Sequence, residues 1–342
     1  MVQRDDGPFV SRLTAWPGVM DEPAKEELET AHCWEIDDRV PARPEMTAFR
    51  RTTRLHHAHW REAHGHPIGT QPIVPRPGGP WRPVGSRLPL PYARQTGATF
   101  VTWAALSAAT RRASYVEPHQ SSDHQRTWAD LLSSSALAYN LFGDLAADAE
   151  LADRAVHTWW PDVPGQVREL RFSYSPGRFD ASYLNSLREF AVAILLDLDD
   201  GRSGIVAVNV IYHERNKREV PKPQNRRRNQ EVLDRSGAFG PAALDVFGGS
   251  DLTVVFLEHL LLLSMLQHPS REWGWGRFVV VHPAGNVDAA DLGRRYGNLL
   301  IDSSIFTVTT IEDLLDAETL PPASTTAIRE RYVPSPRRPP TD

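Results

Sequence analysis

An intrachain disulfide is excluded, because the chain holds a single cysteine, Cys33. That scarcity fits a reducing compartment, and a cytoplasmic location is the expectation. Nothing around Cys33 supplies an activating charge, so it reads as an ordinary thiol. Long hydrophobic runs are also lacking. No run reaches the roughly 18 apolar residues that cross a bilayer. The longest, near Leu260–Leu266, is broken upstream by Glu258 and His259. The N-terminal stretch MVQRDDGPFV carries acids and no apolar h-region, so no signal peptide is expected. A positive balance, the global signature of nucleic-acid binding, is missing too, since the formal net charge is −5. Lysine is scarce, with only Lys25, Lys217 and Lys222 among 38 basic residues. There is no internal repeat.

What is present is a soluble, globular composition, 41% hydrophobic and 24% charged. At its centre lie two apolar runs, Phe190–Leu198 and Ile205–Tyr212, joined by D-D-G-R-S-G. Asp-Gly between such runs signals a hairpin. Runs this apolar predict strands buried on both faces, in the middle of a sheet. The basic stretch 215–228, RNKREVPKPQNRRR, directly follows. It reads as a solvated loop or as a phosphate-contacting loop carrying Arg215, Lys217, Arg218, Lys222, Arg226, Arg227 and Arg228.

Periodicity places helices over 46–66, 98–112, 124–145, 147–160, 252–267, 288–300, 311–317 and 323–332, with a shorter one near 23–29. Strands are predicted at 167–175, 277–282 and 306–310. The Pro- and Gly-rich stretch 67–97 is expected to be an extended wrapping loop without helix or regular sheet. The histidines His56, His57, His59, His64 and His66 invite a metal reading, but no placed Cys or carboxylate completes a ligand set. A polar helix is the simpler interpretation. This order of elements predicts a mixed α/β sheet with helices on both faces. The expected division is an N-terminal helical and Pro/Gly-rich segment (1–120), an α/β domain (121–333) and a disordered tail (334–342).

Several stretches carry a resemblance: W-R-E-A-H-G-H-P-I-G-T (60–70), R-P-V-G-S-R-L (82–88), L-L-S-S-S-A-L-A-Y-N-L-F-G-D-L (131–145), S-P-G-R (175–178), Y-H-E (212–214), R-S-G-A-F (235–239), W-G-W-G-R-F-V-V-V-H-P-A-G-N (273–286) and L-P-P-A-S-T-T-A-I-R-E-R-Y-V (320–333). Each is weak alone, but their order and span resemble a bacterial family of restriction-endonuclease-like proteins in the PD-(D/E)XK nuclease superfamily. The resemblance implies a restriction-endonuclease-like mixed sheet flanked by helices, with a Pro-rich N-terminal extension. It also implies a site in which one strand supplies Asp and the next supplies Glu and Lys two residues apart. Carboxylates so placed hold Mg²⁺ through oxygen.

Laid without gaps on the family hairpin F-D-x-F…G-x-E-V-K-Y-x-E, this chain has Ala191 at the aspartate, Asn209 at the glutamate and Ile211 at the lysine. All three chemical positions are replaced. Strand alternation suggests Glu189 and His213 as substitutes on the same face. F-D-A at 179–181 offers Asp180 instead, at the cost of the ungapped match. Asp197 and Asp199 read as turn solvation, and Glu214 has the opposite parity. Two expectations follow. One is an inactive pseudonuclease with no cofactor, serving DNA binding or assembly, as a homo-oligomer or with an active homologue. The other is a Mg²⁺-dependent endonuclease with a displaced site. No membrane partner is expected.

Overall fold

The structure, a computed structural model, describes residues 22–33, 48–73, 79–120, 123–214, 218–240 and 247–334. The first elements are α1 (Lys25–Thr30), α2 (Ala48–Ala63), β1 (Gly69–Pro72), β2 (Trp81–Val84), α3 (Leu90–Thr96) and α4 (Trp103–Ser114). Then come α5 (His124–Ala129), α6 (Ser134–Ala147), α7 (Ala149–Trp159), β3 (Gln166–Tyr174), β4 (Phe190–Asp197) and β5 (Ser203–Val210). The chain continues through α8 (Arg226–Ser236), α9 (Thr253–Leu266), β6 (Trp273–His282), α10 (Val287–Gly297), β7 (Phe306–Thr310), α11 (Ile311–Asp316) and α12 (Pro322–Tyr332).

Five strands form one mixed sheet in the order β3-β4-β5-β6-β7. The β4 strand pairs antiparallel with both β3 and β5, whereas β6 and β7 run parallel to β5. A parallel partner cannot follow through a tight turn. The connection between β5 and β6 contains α8 and α9, and that between β6 and β7 contains α10. The apolar hairpin is therefore central, as its composition predicts. Val206, Val208 and Val210 of β5 join a core built with α4, α6, α7, α11 and α12. Ile205 and Ala207 join the opposite core with α8, α9 and α10. Burying each of these aliphatic side chains fully stabilises the fold by roughly 1.5–3 kcal/mol.

Three expectations are corrected. The stretch 67–97 holds a two-stranded sheet and a helix, not a bare loop. Its prolines are tolerated because Pro72 and Pro83 lie in two-stranded β1–β2, where every strand is an edge. Pro91 falls in the first turn of α3, where a missing N–H costs nothing, and Gly97 closes that helix at φ 68°. The helix over 124–145 is two helices. Asp123 accepts from the Arg126 backbone N–H, and Ser133 accepts from the Ala136 backbone N–H to start α6 anew. The basic stretch is not all loop. A 3₁₀ turn at Pro223–Asn225 leads into α8, which begins at Arg226. Residues 1–21, 34–47 and 74–78 of the N-terminal segment and the tail beyond Pro334 lie outside the described residues.

The N-terminal part is tied to the sheet by buried polar contacts. His57 of α2 meets the Tyr212 hydroxyl at 2.9 Å just past β5. The Arg331 guanidinium of α12 lies 4.7 Å from the Trp60 ring and 4.9 Å from the Tyr332 ring. Two more of the histidines in that stretch have hydrogen-bond partners. His56 meets the Glu330 carbonyl and His66 the Tyr92 hydroxyl, both at 2.9 Å.

Candidate functional site at the β4–β5 junction

The β4–β5 register pairs Val192 with Val208. Continued by one residue, it sets Ala191 across from Asn209. Asn209 is the one polar interruption in the apolar run from Ile205 to Tyr212. Its amide nitrogen donates to a carboxylate oxygen of Glu258, on the adjacent face of α9. The other Glu258 oxygen lies 4.0 Å from an Arg188 guanidinium nitrogen. Arg188 pairs through its second terminal nitrogen with Glu219. Glu258 is only 13% exposed. Burial pushes its carboxyl up to about 7; Arg188 and the Asn209 amide oppose that rise, while Glu189 and Glu219 add to it.

These groups border a cavity of about 380 Å³. Its polar lining comes from Arg188, Glu189, Glu219, Lys222, Asn229 and Glu258, and its apolar wall includes Leu184, Leu187 and Leu257.

The residues singled out by sequence are brought together only in part. Glu189 lines the cavity, but it precedes β4, and its carboxylate accepts from Arg178 at 2.5 Å. Ala191 packs toward the core on the α6 side. Phe190 and Val192 fall in opposite cores, so strict alternation fails at the start of β4. Ile211 is 5% exposed in the α9-side core. His213 lies beyond the end of β5, with its ring 3.4 Å from Arg54 of α2, and is not among the residues lining the cavity. Asp180 is exposed and accepts from the Ser182 backbone N–H at 2.8 Å and its hydroxyl at 2.7 Å. Those bonds hold its carboxyl below the usual range. It too is away from the cavity lining. Asp197 pairs with Arg168 at 2.8 Å near the turn.

Glu214 faces the α6 side. It accepts from the Ser134 backbone N–H at 3.0 Å and from Arg126 at 2.5 Å. Burial alone would raise its carboxyl, but His213, Arg126 and Ser134 together hold it down to about 2.

Of the basic segment, Arg215 and Lys217 lie outside the described residues. Arg218, Lys222, Arg226 and Arg227 are exposed. Lys222 also lines the cavity, and its ammonium lies 6.0 Å from the Phe179 ring centre. Arg227 pairs with Glu231 at 3.1 Å. Arg228 is a structural anchor, donating to the Tyr183 carbonyl at 2.6 Å and the Ser182 carbonyl at 2.5 Å.

Sequence reasoning missed Glu258, Arg188 and Glu219. The signal for Glu258 was a lone carboxylate in an otherwise apolar helix. Arg188 and Glu219 stand outside the strands and are joined to the site only by the fold.

An antiparallel three-stranded meander, a connecting helix on one face and parallel strands beyond, with the candidate site where β4 meets β5, define a restriction-endonuclease-like α/β core. The chain belongs to the PD-(D/E)XK nuclease superfamily, whose family model matches residues 44–334. No curated protein and no solved structure matches it. Among the described residues, no helix is long and apolar enough to cross a membrane.

The superfamily implies a divalent metal at this junction, and the donors here do not fit one. Ala191 offers no ligand and Ile211 no charge. Asn209 offers only a neutral carbonyl, and its amide nitrogen donates to Glu258, which also faces Arg188. Glu189 is held by Arg178. Among the described residues, no three Asp, Glu, His or Cys side chains are grouped to hold a metal.

Proposed function

We propose that this chain is a nuclease-fold protein that binds nucleic acid without cutting it. The Asn209–Glu258–Arg188 network carries the reading, because it occupies the strand junction with a closed set of internal contacts. Hydrolysis of a phosphodiester in this fold needs charge stabilisation and an oriented water. Ala191 and Ile211 supply neither. Lys222 lines the cavity, Arg218, Arg226 and Arg227 are exposed nearby in the sequence, and together they offer charge for backbone phosphates despite the net acidity of the chain.

Filter binding of labelled duplex DNA, with a parallel cleavage assay in Mg²⁺ or Mn²⁺, tests the reading. Binding is expected at low salt, weakening steeply as salt is added. Replacing Lys222, Arg226 and Arg227 together with Glu should lower the affinity at least about tenfold, because each cation that neutralised a phosphate becomes an anion that repels it. Metal-dependent cutting that disappears in Glu258→Gln would replace this reading with that of an active nuclease using a rebuilt site. Absence of binding at low salt would remove the nucleic-acid role.

A further inference from the structure

Carboxylates from three separate segments face one cavity. Glu189 precedes β4, Glu219 lies between β5 and α8, and Glu258 stands on α9. Such a group requires positive charge, and the fold provides it covalently. Arg178, whose side chain is 3% exposed, pairs with Glu117 and Glu189. Arg188, 20% exposed, is placed between the other two: one terminal nitrogen pairs with Glu219, and the other lies 4.0 Å from Glu258. Lys222 lines the same cavity, but its ammonium sits near the Phe179 ring.

We propose that Arg188 is the resident cation of this cavity and that its guanidinium excludes divalent metal from Glu219 and Glu258. Three physical points support the assignment. A guanidinium stays charged at any pH the protein tolerates, so it is a permanent counter-ion. Its planar fork presents two nitrogens to two different carboxylates. Tethered to the backbone at the start of β4, it competes with a free ion at high effective concentration. A hard divalent ion needs carboxylate oxygens at about 2.0–2.6 Å, so it could be held only if Arg188 withdrew. Asn209 favours the same outcome, because its donor nitrogen fixes one Glu258 oxygen.

Manganese binding measured by calorimetry and by the Mn²⁺ spin-resonance signal tests this directly on the full chain. The native protein should show no saturable Mn²⁺ site and no change in melting temperature with MnCl₂ relative to NaCl at equal ionic strength. Arg188→Gln, which keeps polarity without charge, should bind Mn²⁺ at least about tenfold more tightly than the native protein and melt higher in its presence. Arg188→Lys, which restores charge, should exclude the ion again. Adding Glu258→Gln to Arg188→Gln should abolish the acquired site. Circular dichroism confirms folding of each variant, and Arg188→Met serves if Arg188→Gln does not fold. The proposal is overturned if the native protein binds Mn²⁺ as tightly as the variants do. It is equally overturned if a folded, charge-free variant gains no site. Neither result bears on DNA binding by the native chain, so failure here is distinct from failure of the functional reading.

Discussion

Glu258→Gln isolates the energetic consequence of a carboxylate buried beside Asn209. Burial raises the Glu258 carboxyl from the usual value of 4.5 to about 7. The folded chain therefore keeps a proton that the unfolded chain has already released across that interval. Stability contributed by this group is full below the unfolded value, falls as pH rises through the interval, and levels off above about 7. At about 1.4 kcal/mol per pH unit, the linkage amounts to about 3 kcal/mol at most. Glutamine resembles the protonated acid, since its carbonyl still accepts from Asn209 and it carries no charge. The expected outcome is equal stability of the two proteins near pH 4.5 and an advantage to Glu258→Gln that grows to as much as about 3 kcal/mol by pH 8. Urea unfolding followed by tryptophan fluorescence at half-unit steps of pH measures the difference. Common titrations elsewhere cancel in the subtraction. Parallel curves for the two proteins from pH 4.5 to 8 would refute the reasoning, because they would mean that Glu258 titrates alike folded and unfolded.

Two further perturbations probe the frame around the site. Glu214 has the opposite sign: its carboxyl is held at about 2, so its stabilisation is present above the unfolded value and is lost as pH falls toward 2. Glu214→Gln should cost about 2–3 kcal/mol at pH 7 and progressively less in acid, measured by the same urea series. Gly143→Ala should lower the melting temperature, because a Cβ there would come within 2.5 Å of the Ala105 Cα where α4 crosses α6. A cost of about 1–3 kcal/mol is expected for such overpacking.

Periodicity and composition determine much of this protein by themselves. Continuous β-branched and aliphatic runs at 190–198 and 205–212 specify strands with no solvent face, and only a central position in a covered sheet accommodates that. Asp-Gly marks the turn between them. That Ala191, Asn209 and Ile211 carry neither carboxylate nor ammonium is a statement about residue identity, so the chain shows it without any coordinates. Other features are decided by long-range packing. Proline in 67–97 argues locally against regular structure, yet a two-stranded sheet has only edges and a helix start needs no N–H. Strand alternation points to His213 and Glu189 together, but both stand outside the strands, where the rule no longer applies. One turns to α2 and the other to the cavity. Glu258 comes from a helix 49 residues beyond its partner Asn209. Arg188 and Glu219 meet only because the ends of the hairpin return to the same place. Through the resemblance, sequence therefore singled out Ala191, Asn209 and Ile211 at the junction. The tertiary structure decided which groups gather there, because charges meet by distance in space and are indifferent to separation along the chain.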